Sequence, residues 1–322
     1  MIEKSTISDK TQKGIKKNRG KKRFHISKDS LGLYLLFLPS LIYVMVFLYG
    51  PMYGVIIAFK DFSASLGIWN SPWATPLFRH FTRFFDSYRF LTLIKNTLTL
   101  SVYTLAVGFP IPIILALVLN QTNNKAYKKV TQFVSYIPYF ISTVVLVGML
   151  SVFLSPQTGI VNIITKMLGG KPIFYMGEAR LFKHVYVWSN VWQTMGWSSI
   201  IYIASLSNVN PELHESAVID GAGKLRRIIS IDLPLILPTV MTMLVLNSGR
   251  IMSVGFEKAF LMQNNLNIEA SEIISTYVYK VGLLDAQFSF SAAVGLFNSV
   301  INCVLVFAVN YLSKKLTNNS LW

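Results

Sequence analysis

The chain has 322 residues, of which 52% are hydrophobic and only 14% are charged. Its mean hydropathy of +0.48 lies well above the values of soluble globular domains, so the composition favours a protein embedded in a bilayer. The formal net charge of +16 does not indicate a nucleic-acid binder, because the basic residues concentrate in one tail and in short loops beside apolar runs. The single cysteine, Cys303, excludes an intrachain disulfide and a cysteine-based metal cluster.

Residues 1–28 are predicted to form a solvated basic tail in the cytoplasm. The apolar run that follows is too long for a cleavable signal peptide and lacks a small-residue cleavage site, so we expect it to stay as a membrane anchor. The tail either binds anionic lipid headgroups or only holds the N-terminus inside, and we favour the second role. Its basic residues are Lys4, Lys10, Lys13, Lys16, Lys17, Arg19, Lys21, Lys22, Arg23 and Lys28.

Residues 29–322 are predicted to form an all-α integral membrane domain with six transmembrane helices. Roughly 20 apolar residues, at about 1.5 Å each, match the hydrocarbon core of a bilayer. Prolines within the spans are expected to bend or unwind them where neighbouring helices or water satisfy the freed carbonyl groups. The predicted spans are 31–49 with a further extension to 59, 97–119, 133–154, 185–206, 235–256 and 291–312, and their prolines are Pro39, Pro110, Pro112 and Pro138.

Lys and Arg residues in the short loops predict the orientation, since cytoplasmic loops retain positive charge. Lys125, Lys128 and Lys129 crowd the loop between the second and third spans, and the loop between the fourth and fifth spans is also basic. Lys314 and Lys315 follow the last span. Both termini are therefore expected in the cytoplasm, with the protein in the bacterial cytoplasmic membrane. The longer external loops also carry scattered basic residues, so charge density favours this orientation while the totals alone do not.

The polar segment 208–238, between the fourth and fifth spans, is predicted to begin with a short helix. Asn210 is a favourable N-cap and Pro211 suits the first helical position. Glu212 and Glu215 lie near the helix start, where the helix dipole favours negative charge. The apolar residues of the segment are too many for an isolated solvated loop, so some of them must face a partner or the helix bundle.

A turn and a second short helix are predicted to follow. Asp220-Gly221 indicates the turn, because glycine adopts positive φ without strain, and residues 222–230 have the composition of a helix. Pro234 and Pro238 are expected to prevent a seamless continuation and to begin the fifth span. The two helices should therefore form an angled unit at the membrane surface.

Part of this segment follows the pattern E-A-A-x-x-x-G-x9-I-x-L-P, with serine in place of the first alanine. On this pattern the chain resembles the membrane-spanning subunits of type I ABC importers, in the carbohydrate branch related to maltose-type permeases. Residues 49–62 also resemble the end of the first span in permeases for complex or uronate-containing oligosaccharides. The residues that the pattern marks for coupling to an ATPase are Glu215, Ser216, Ala217, Asp220, Gly221, Ile231, Leu233 and Pro234.

The resemblance implies that this segment is a coupling helix seated in a cleft of a separate ATPase subunit, where Glu215 pairs with a basic group. Ala217 would permit close packing, Gly221 would form the turn, and Leu233-Pro234 would connect the loop to the fifth helix. The implied partners are a second permease subunit, expected to be a different chain, two ATPase subunits that use ATP and magnesium, and an extracytoplasmic solute-binding protein for sugars. The other interpretation is an ordinary connector on the membrane surface. It explains less well why residues at several separated positions match the pattern.

We expect no catalytic, cofactor-binding or metal site in this chain. Residues 221–225 superficially resemble a phosphate-binding loop, but that motif needs a glycine where Val218 stands and a hydroxyl residue where Leu225 stands. The histidines are far apart, and no local carboxylate pair lies on a predicted span. An ion-coupled secondary transporter is the alternative function, but it predicts acidic relays or repeated halves within the spans, and neither is evident. A membrane-embedded enzyme would need a catalytic constellation that is missing.

Arg250 is the strongly charged residue predicted to lie well inside a span. Such a residue either contacts an acidic substrate or pairs with another helix or subunit, and pairing is the usual solution for a buried charge. Trp188 and Trp192 are expected in an interfacial belt. Deeper aromatic and asparagine residues either line a cavity or make helix–helix contacts. The candidate residues of a substrate pathway are Arg250, Asn247, Trp197, Tyr202, Asn298 and Asn302.

Three longer segments, 60–95, 155–184 and 257–290, are predicted to be external. Each is either a surface on which a binding protein lands or a packed cap over the helix bundle. The sequence leaves these two roles open.

Overall fold

The computed structural model describes residues 28–253 and 255–317. Within these residues the chain is helical and contains no β-strand, apart from an isolated antiparallel bridge between Lys60 and Trp73. The all-helical class is thus confirmed. The chain divides into two compact units, the first ending at Tyr53 and the second beginning at Gly54. Residues 1–27 of the predicted basic tail lie outside the described residues.

The described part of the first unit, residues 28–53, is apolar and helical. Helix α1, Lys28–Val44, runs through Pro39, and a π-helical turn, Met45–Tyr49, leads into α2, Gly50–Met52. A 3₁₀ helix, Tyr53–Phe59, follows at the boundary of the units. Together Leu31–Phe59 is long and apolar enough to cross a membrane. The first predicted span therefore includes its proposed extension to residue 59.

The second unit contains the remaining helices. They are α3 Gly67–Asn70, α4 Arg79–Phe85, α5 Phe90–Gly108, α6 Pro110–Asn120, α7 Lys125–Tyr136, α8 Thr143–Phe153, α9 Ile160–Met167, α10 Ala179–Ser207, α11 Pro211–Ile219, α12 Lys224–Arg227, α13 Leu233–Ser248, α14 Phe256–Met262, α15 Ile268–Ser271, α16 Ile274–Tyr279 and α17 Phe288–Thr317. A 3₁₀ helix, Ile137–Phe140, precedes α8, and π-helical turns occupy Ile228–Asp232 and Lys280–Leu284.

Four helical stretches in the described part of the chain are apolar enough to cross a membrane, and a bent pair makes a fifth. Besides the first, they are Phe90–Asn120, Lys224–Ser248 and Phe288–Lys315. The bent pair, Lys125–Phe140 with Thr143–Phe153, turns by 100° within the predicted third span, 133–154, where a bend was expected at Pro138. Pro138 lies in the 3₁₀ segment before this bend, and Ser142 caps the next helix by accepting from the Val145 N–H at 3.3 Å.

The predicted fourth span, 185–206, lies within α10, a continuous helix of 29 residues, which is too polar to be among the helices that could cross a membrane by composition. Polar residues such as Asn190, Gln193 and Thr194 line an internal cavity, which explains why a helix in the middle of the bundle carries them. Its other residues pack tightly, with Val187 and Ser199 fully buried. Composition alone is therefore a poor guide to a helix that is enclosed by others.

An apolar cluster joins α6, α10 and α13 at one end of the bundle. Its buried members are Ile113, Ala116, Leu117, Tyr202, Leu206, Ile236 and Val240. A hydroxyl pair, Ser205 Oγ and Thr239 Oγ1 at 3.0 Å, supplements this contact between α10 and α13. Two further clusters hold the rest of the second unit together, one centred on α10 and the other on α17. The cluster around Ala116 positions the polar segment that connects α10 to α13.

Candidate functional site

The polar segment after α10 begins with the capped helix that its sequence predicts. Helix α11 begins at Pro211, and the Asn210 side-chain oxygen accepts from the Glu212 N–H at 3.1 Å. The Asn210 amide also donates to the Glu212 carboxylate at 3.1 Å. These local contacts define where the helix starts.

Helix α11 ends in a Schellman motif. The Ala222 N–H donates to Ala217 O at 2.8 Å and the Gly221 N–H donates to Val218 O at 3.0 Å, which is the pair of hydrogen bonds that defines the motif. Gly221 adopts φ +77°, a conformation that residues with a Cβ rarely take. The predicted turn at Asp220-Gly221 is therefore present, and α11 and α12 form separate helices.

One face of this segment lies open in the single chain. Glu215 is exposed and has no ion pair or hydrogen bond among the described residues, whereas the Ser216 hydroxyl donates to Glu212 O at 2.9 Å within its own helix. Ile219 is 86% exposed and Leu225 is 70% exposed. Of the other predicted coupling residues, Ala217 and Ile231 are half-buried, while Asp220, Leu233 and Pro234 are exposed. Exposed apolar residues around an unpaired carboxylate are typical of a protein-binding surface.

The connection from α12 to α13 differs from the sequence prediction. We expected Pro234 and Pro238 to prevent a seamless continuation of the helix and to begin the fifth span. Instead, Lys224–Ser248 forms one helix of 25 residues. The π-helical turn Ile228–Asp232 allows this, because the Leu233 N–H donates to Ile228 O, five residues back, and Pro234 follows within the first turn of α13. Helix α12 is thus continuous with α13, whereas α11 is connected to it through the turn at Gly221.

A buried carboxylate, which the sequence reasoning missed, lies at this junction. Asp232 is fully buried, and its Oδ2 accepts from Gln121 Nε2 at 2.7 Å. His214 Nε2 lies 3.1 Å from Asp232 Oδ1, and Asn120 Nδ2 lies 3.4 Å from the same oxygen. A charged residue inside the apolar run 228–240 was the available sequence signal.

A cavity of about 890 Å³ lies between α5, α6, α10 and α13. Four of the predicted pathway residues line it: Asn247, Arg250, Trp197 and Tyr202. Trp197 stacks on Tyr139 with ring centroids 4.5 Å apart and planes within 3°. Trp197 is nevertheless 43% exposed. The cavity is of the size that binds small organic ligands, and it combines aromatic, amide and cationic groups.

Arg250 lies outside the regular helix. The predicted span 235–256 ends early, because α13 stops at Ser248 and Gly249 forms its C-cap. Arg250 therefore sits in the irregular segment that follows, where its side chain is exposed to the cavity and has no ion pair among the described residues. Because no ion pair engages Arg250 among the described residues, its guanidinium is free to contact a ligand or another subunit.

The two asparagines on α17 lie away from the cavity lining. Asn302 accepts from the Met252 N–H at 2.9 Å and donates to Ser253 Oγ at 3.0 Å. It thereby satisfies backbone and side-chain groups of the irregular segment after α13, as non-helical backbone within a bundle requires. Asn298 Oδ1 is buried without a hydrogen-bond partner. Asn302 thus joins α17 to the irregular segment after α13.

Two charged residues of the cavity were not singled out from the sequence. Glu257 and Lys258, at the start of α14, both line it. Lys258 is 5% exposed, donates to Tyr186 O at 3.1 Å and lies 5.0 Å from the centre of the Tyr186 ring. No carboxylate pairs with it among the described residues, and burial lowers the pKa of Lys258 to about 7. The sequence assigned this position to an external loop, which concealed its burial.

The loop 263–267, within one of the predicted external segments, packs against the chain that precedes α10. Asn267 is 1% exposed, and both Asn264 and Asn267 donate to Met176 O, at 2.7 and 2.8 Å. Asn265 and Leu266 are exposed, Leu266 at 66%. Trp188 and Trp192 line a separate apolar pocket, and both remain partly exposed.

Comparisons with known proteins identify the family of this chain. Residues 108–318 match the family of binding-protein-dependent transport system inner membrane components. Protein LplB of Bacillus subtilis (strain 168) is 40% identical over 290 residues, which are 90% of this chain and 91% of LplB. The polygalacturonan/rhamnogalacturonan transport system permease protein YteP of the same organism is 41% identical over 283 residues, 88% of each chain.

A solved structure shares the fold. One chain from the crystal structure of a bacterial alginate ABC transporter, in complex with alginate pentasaccharide-bound periplasmic protein, superposes with a TM-score of 0.83 at 38% identity. The match covers 91% of this chain and 98% of that chain. On the family match, the curated relatives and the shared fold, this chain belongs to the family of binding-protein-dependent transport system inner membrane components.

Proposed function

We propose that this permease couples ATP hydrolysis in separate subunits to the uptake of acidic oligosaccharides. The observation that carries the proposal is one continuous helix, Lys224–Ser248, which at about 1.5 Å per residue is about 37 Å long. One end adjoins the exposed coupling helix α11, and the other end reaches the cavity at Asn247 and Arg250. A displacement of α12 therefore has a stiff path to the cavity, while α11 is connected to α12 through the turn at Gly221.

The assembly that fits this geometry contains two permeases, two ATPase subunits and an extracytoplasmic binding protein. The open face around Glu215 is the docking surface for one ATPase, and Glu215 meets a basic group there. ATP and magnesium act in those partner subunits, so this chain is not itself the enzyme. ATP-driven closure of the ATPases draws the coupling helices together and opens the cavity outward, and hydrolysis returns it to the inward-facing form.

The same proposal sets the orientation. Segment 208–238, the loop before α7 and both termini face the cytoplasm, because a cytoplasmic ATPase must reach α11 and because these loops hold dense positive charge. The loop 263–267 then lies on the outer side, together with α14. A binding protein that delivers sugar would dock on that side.

We infer an acidic substrate from the names of two similar proteins and from the charged residues of the cavity. YteP is named for polygalacturonan and rhamnogalacturonan, and the solved transporter for alginate. The cavity of this chain is lined by two basic residues, Arg250 and Lys258, and by one acidic residue, Glu257. A sugar carboxylate can therefore bind an unpaired guanidinium or ammonium group there. Trp197 offers an aromatic face on which a sugar ring can pack.

Uptake by the reconstituted transporter tests the proposal. Proteoliposomes would contain this chain, its partner permease, both ATPase subunits and the binding protein, and labelled uronate and neutral oligosaccharides would be compared. We expect ATP-dependent accumulation of the uronate oligosaccharide and little of the neutral one. Accumulation driven by an ion gradient without ATP would support the secondary-transporter alternative and contradict the proposal.

A further inference from the structure

The buried carboxylate of Asp232 joins three elements of the polar junction. His214 belongs to α11, Gln121 follows the end of α6, and Asp232 ends the π-helical turn that leads into α13. The three side chains meet within hydrogen-bonding distance, at 3.1 Å for His214 and 2.7 Å for Gln121. These residues are far apart in the sequence, so their meeting depends on the fold.

Because the Asp232 carboxylate is buried, it depends on the donors that surround it. Asp232 is fully buried, and a buried carboxylate is stable only where donors surround it. Its two oxygens find their donors on α11 and at the end of α6, so removing either one leaves an oxygen poorly satisfied. Displacing α11 from α6 would have the same effect.

The contact lies at the end of the apolar cluster. Asp232 precedes the buried Ile236 by one helical turn, and Asn120 and Gln121 follow the buried Ala116 and Leu117 by one turn. The polar group and the apolar cluster therefore form a single interface between α6 and α13. Through His214, α11 is attached to that interface.

Without His214, α11 would be joined to α13 chiefly through its own chain. That route passes the turn at Gly221 and the exposed helix α12, and such a turn can absorb part of a displacement. His214 is directly followed by Glu215, and neighbouring residues of a helix point in directions about 100° apart. One helix thus presents Glu215 outward while His214, with a side chain 21% exposed, contacts Asp232.

We propose that His214, Asp232 and Gln121 form a hub that transmits the displacement of α11 to α6 as well as to α13. They are positioning residues: they contact neither nucleotide nor sugar, and they keep the coupling helix and two membrane helices moving as one body. The inference rests on the proposed function, because it needs an ATPase that displaces α11. It adds a second membrane helix to the path of force.

Uptake per ATP hydrolysed is the measurement that separates this role from a structural one. His214→Ala and Gln121→Leu would be reconstituted beside the wild type, with His214→Gln as a variant that keeps a donor. We expect both donor-removing variants to bind the ATPase and to hydrolyse ATP normally, while sugar uptake per ATP falls by at least about fivefold. His214→Gln should recover part of the loss. Wild-type uptake per ATP in both variants would overturn the hub.

Distance measurement provides a second test that does not depend on uptake. Spin labels would replace the exposed residues Glu212 on α11 and Asn123 beyond α6 in the assembled transporter. If the hub holds, the distance distribution between the labels stays narrow with and without ATP, and it broadens in His214→Ala. A broad distribution in the otherwise wild-type protein would overturn the hub. Absence of ATP-dependent uptake in the wild type would instead refute the proposed function, so the two failures are distinguishable.

Discussion

The turn at Gly221 offers a sharp test of the coupling segment, because a second glycine two residues later provides its control. Gly221 has φ +77°, and a Cβ built there would meet no atom within 4 Å. Gly221→Ala therefore costs only the backbone strain of the left-handed conformation, about 1–2 kcal/mol. Gly223 has φ −68° and equally open space around it, so Gly223→Ala adds no left-handed strain; because Gly223 is the N-cap of α12, where alanine is less favourable than glycine, we expect a cost below about 1 kcal/mol.

This strain should appear as weaker binding of the ATPase subunit. A cost of about 1–2 kcal/mol lowers the population of the docked conformation by a factor of about 5–30. The assay is titration of labelled ATPase onto the permease pair in nanodiscs, followed by binding-protein-stimulated hydrolysis. Gly221→Asn should be intermediate, since asparagine tolerates this conformation better than alanine. Equal affinities for Gly221→Ala and Gly223→Ala would refute the reasoning.

Other substitutions test the remaining parts of the account. Glu215→Gln should leave the thermal stability of the isolated permease within about 0.5 kcal/mol, yet cost about 2–5 kcal/mol of ATPase binding; a loss of stability with unchanged binding would contradict the docking role. Lys258→Met should raise the KM for a uronate oligosaccharide and leave neutral sugars unaffected. In the wild type that KM should fall as the pH falls through about 7, because Lys258 gains its charge below its pKa while a sugar carboxylate, with a pKa of about 4, stays ionised; the cavity groups beside it are Arg250, Glu257, Tyr186 and Tyr202. A pH profile that Lys258→Met does not change would count against this assignment. Asn302→Leu should lower the free energy of unfolding by about 1–3 kcal/mol, since the Met252 N–H loses its acceptor. Denaturation measures this loss, and an unchanged substrate preference in the same variant would show that Asn302 is not a residue of the substrate pathway.

Much of the polar segment 208–238 could be predicted from sequence preferences that act over a few residues. The N-cap at Asn210, the first helical residue Pro211 and the glycine turn at Gly221 each depend on neighbours within a few residues. The same holds for the break near Pro138. These features need no knowledge of the rest of the fold.

Features that depend on distant contacts were not predictable in the same way. Asp232 is buried because Gln121, 111 residues away, reaches it, and Lys258 is buried against Tyr186, 72 residues away. The end of α13 was missed because apolar residues continue past Gly249 and conceal the cap. The helix through Pro234 depends on a π-helical turn, which has no clear sequence signal.

The central claim, that an ATPase subunit in the cytoplasm binds and displaces α11, is tested most directly by cross-linking at Glu215. A photo-reactive residue at this position, in the assembled transporter in inside-out vesicles, should cross-link to the ATPase subunit, with a yield that changes when ATP binds. The account predicts no labelling of position 215 by membrane-impermeant reagents from the outer face of intact cells. Labelling from that face, or intact transport with no cross-link to the ATPase, would contradict it.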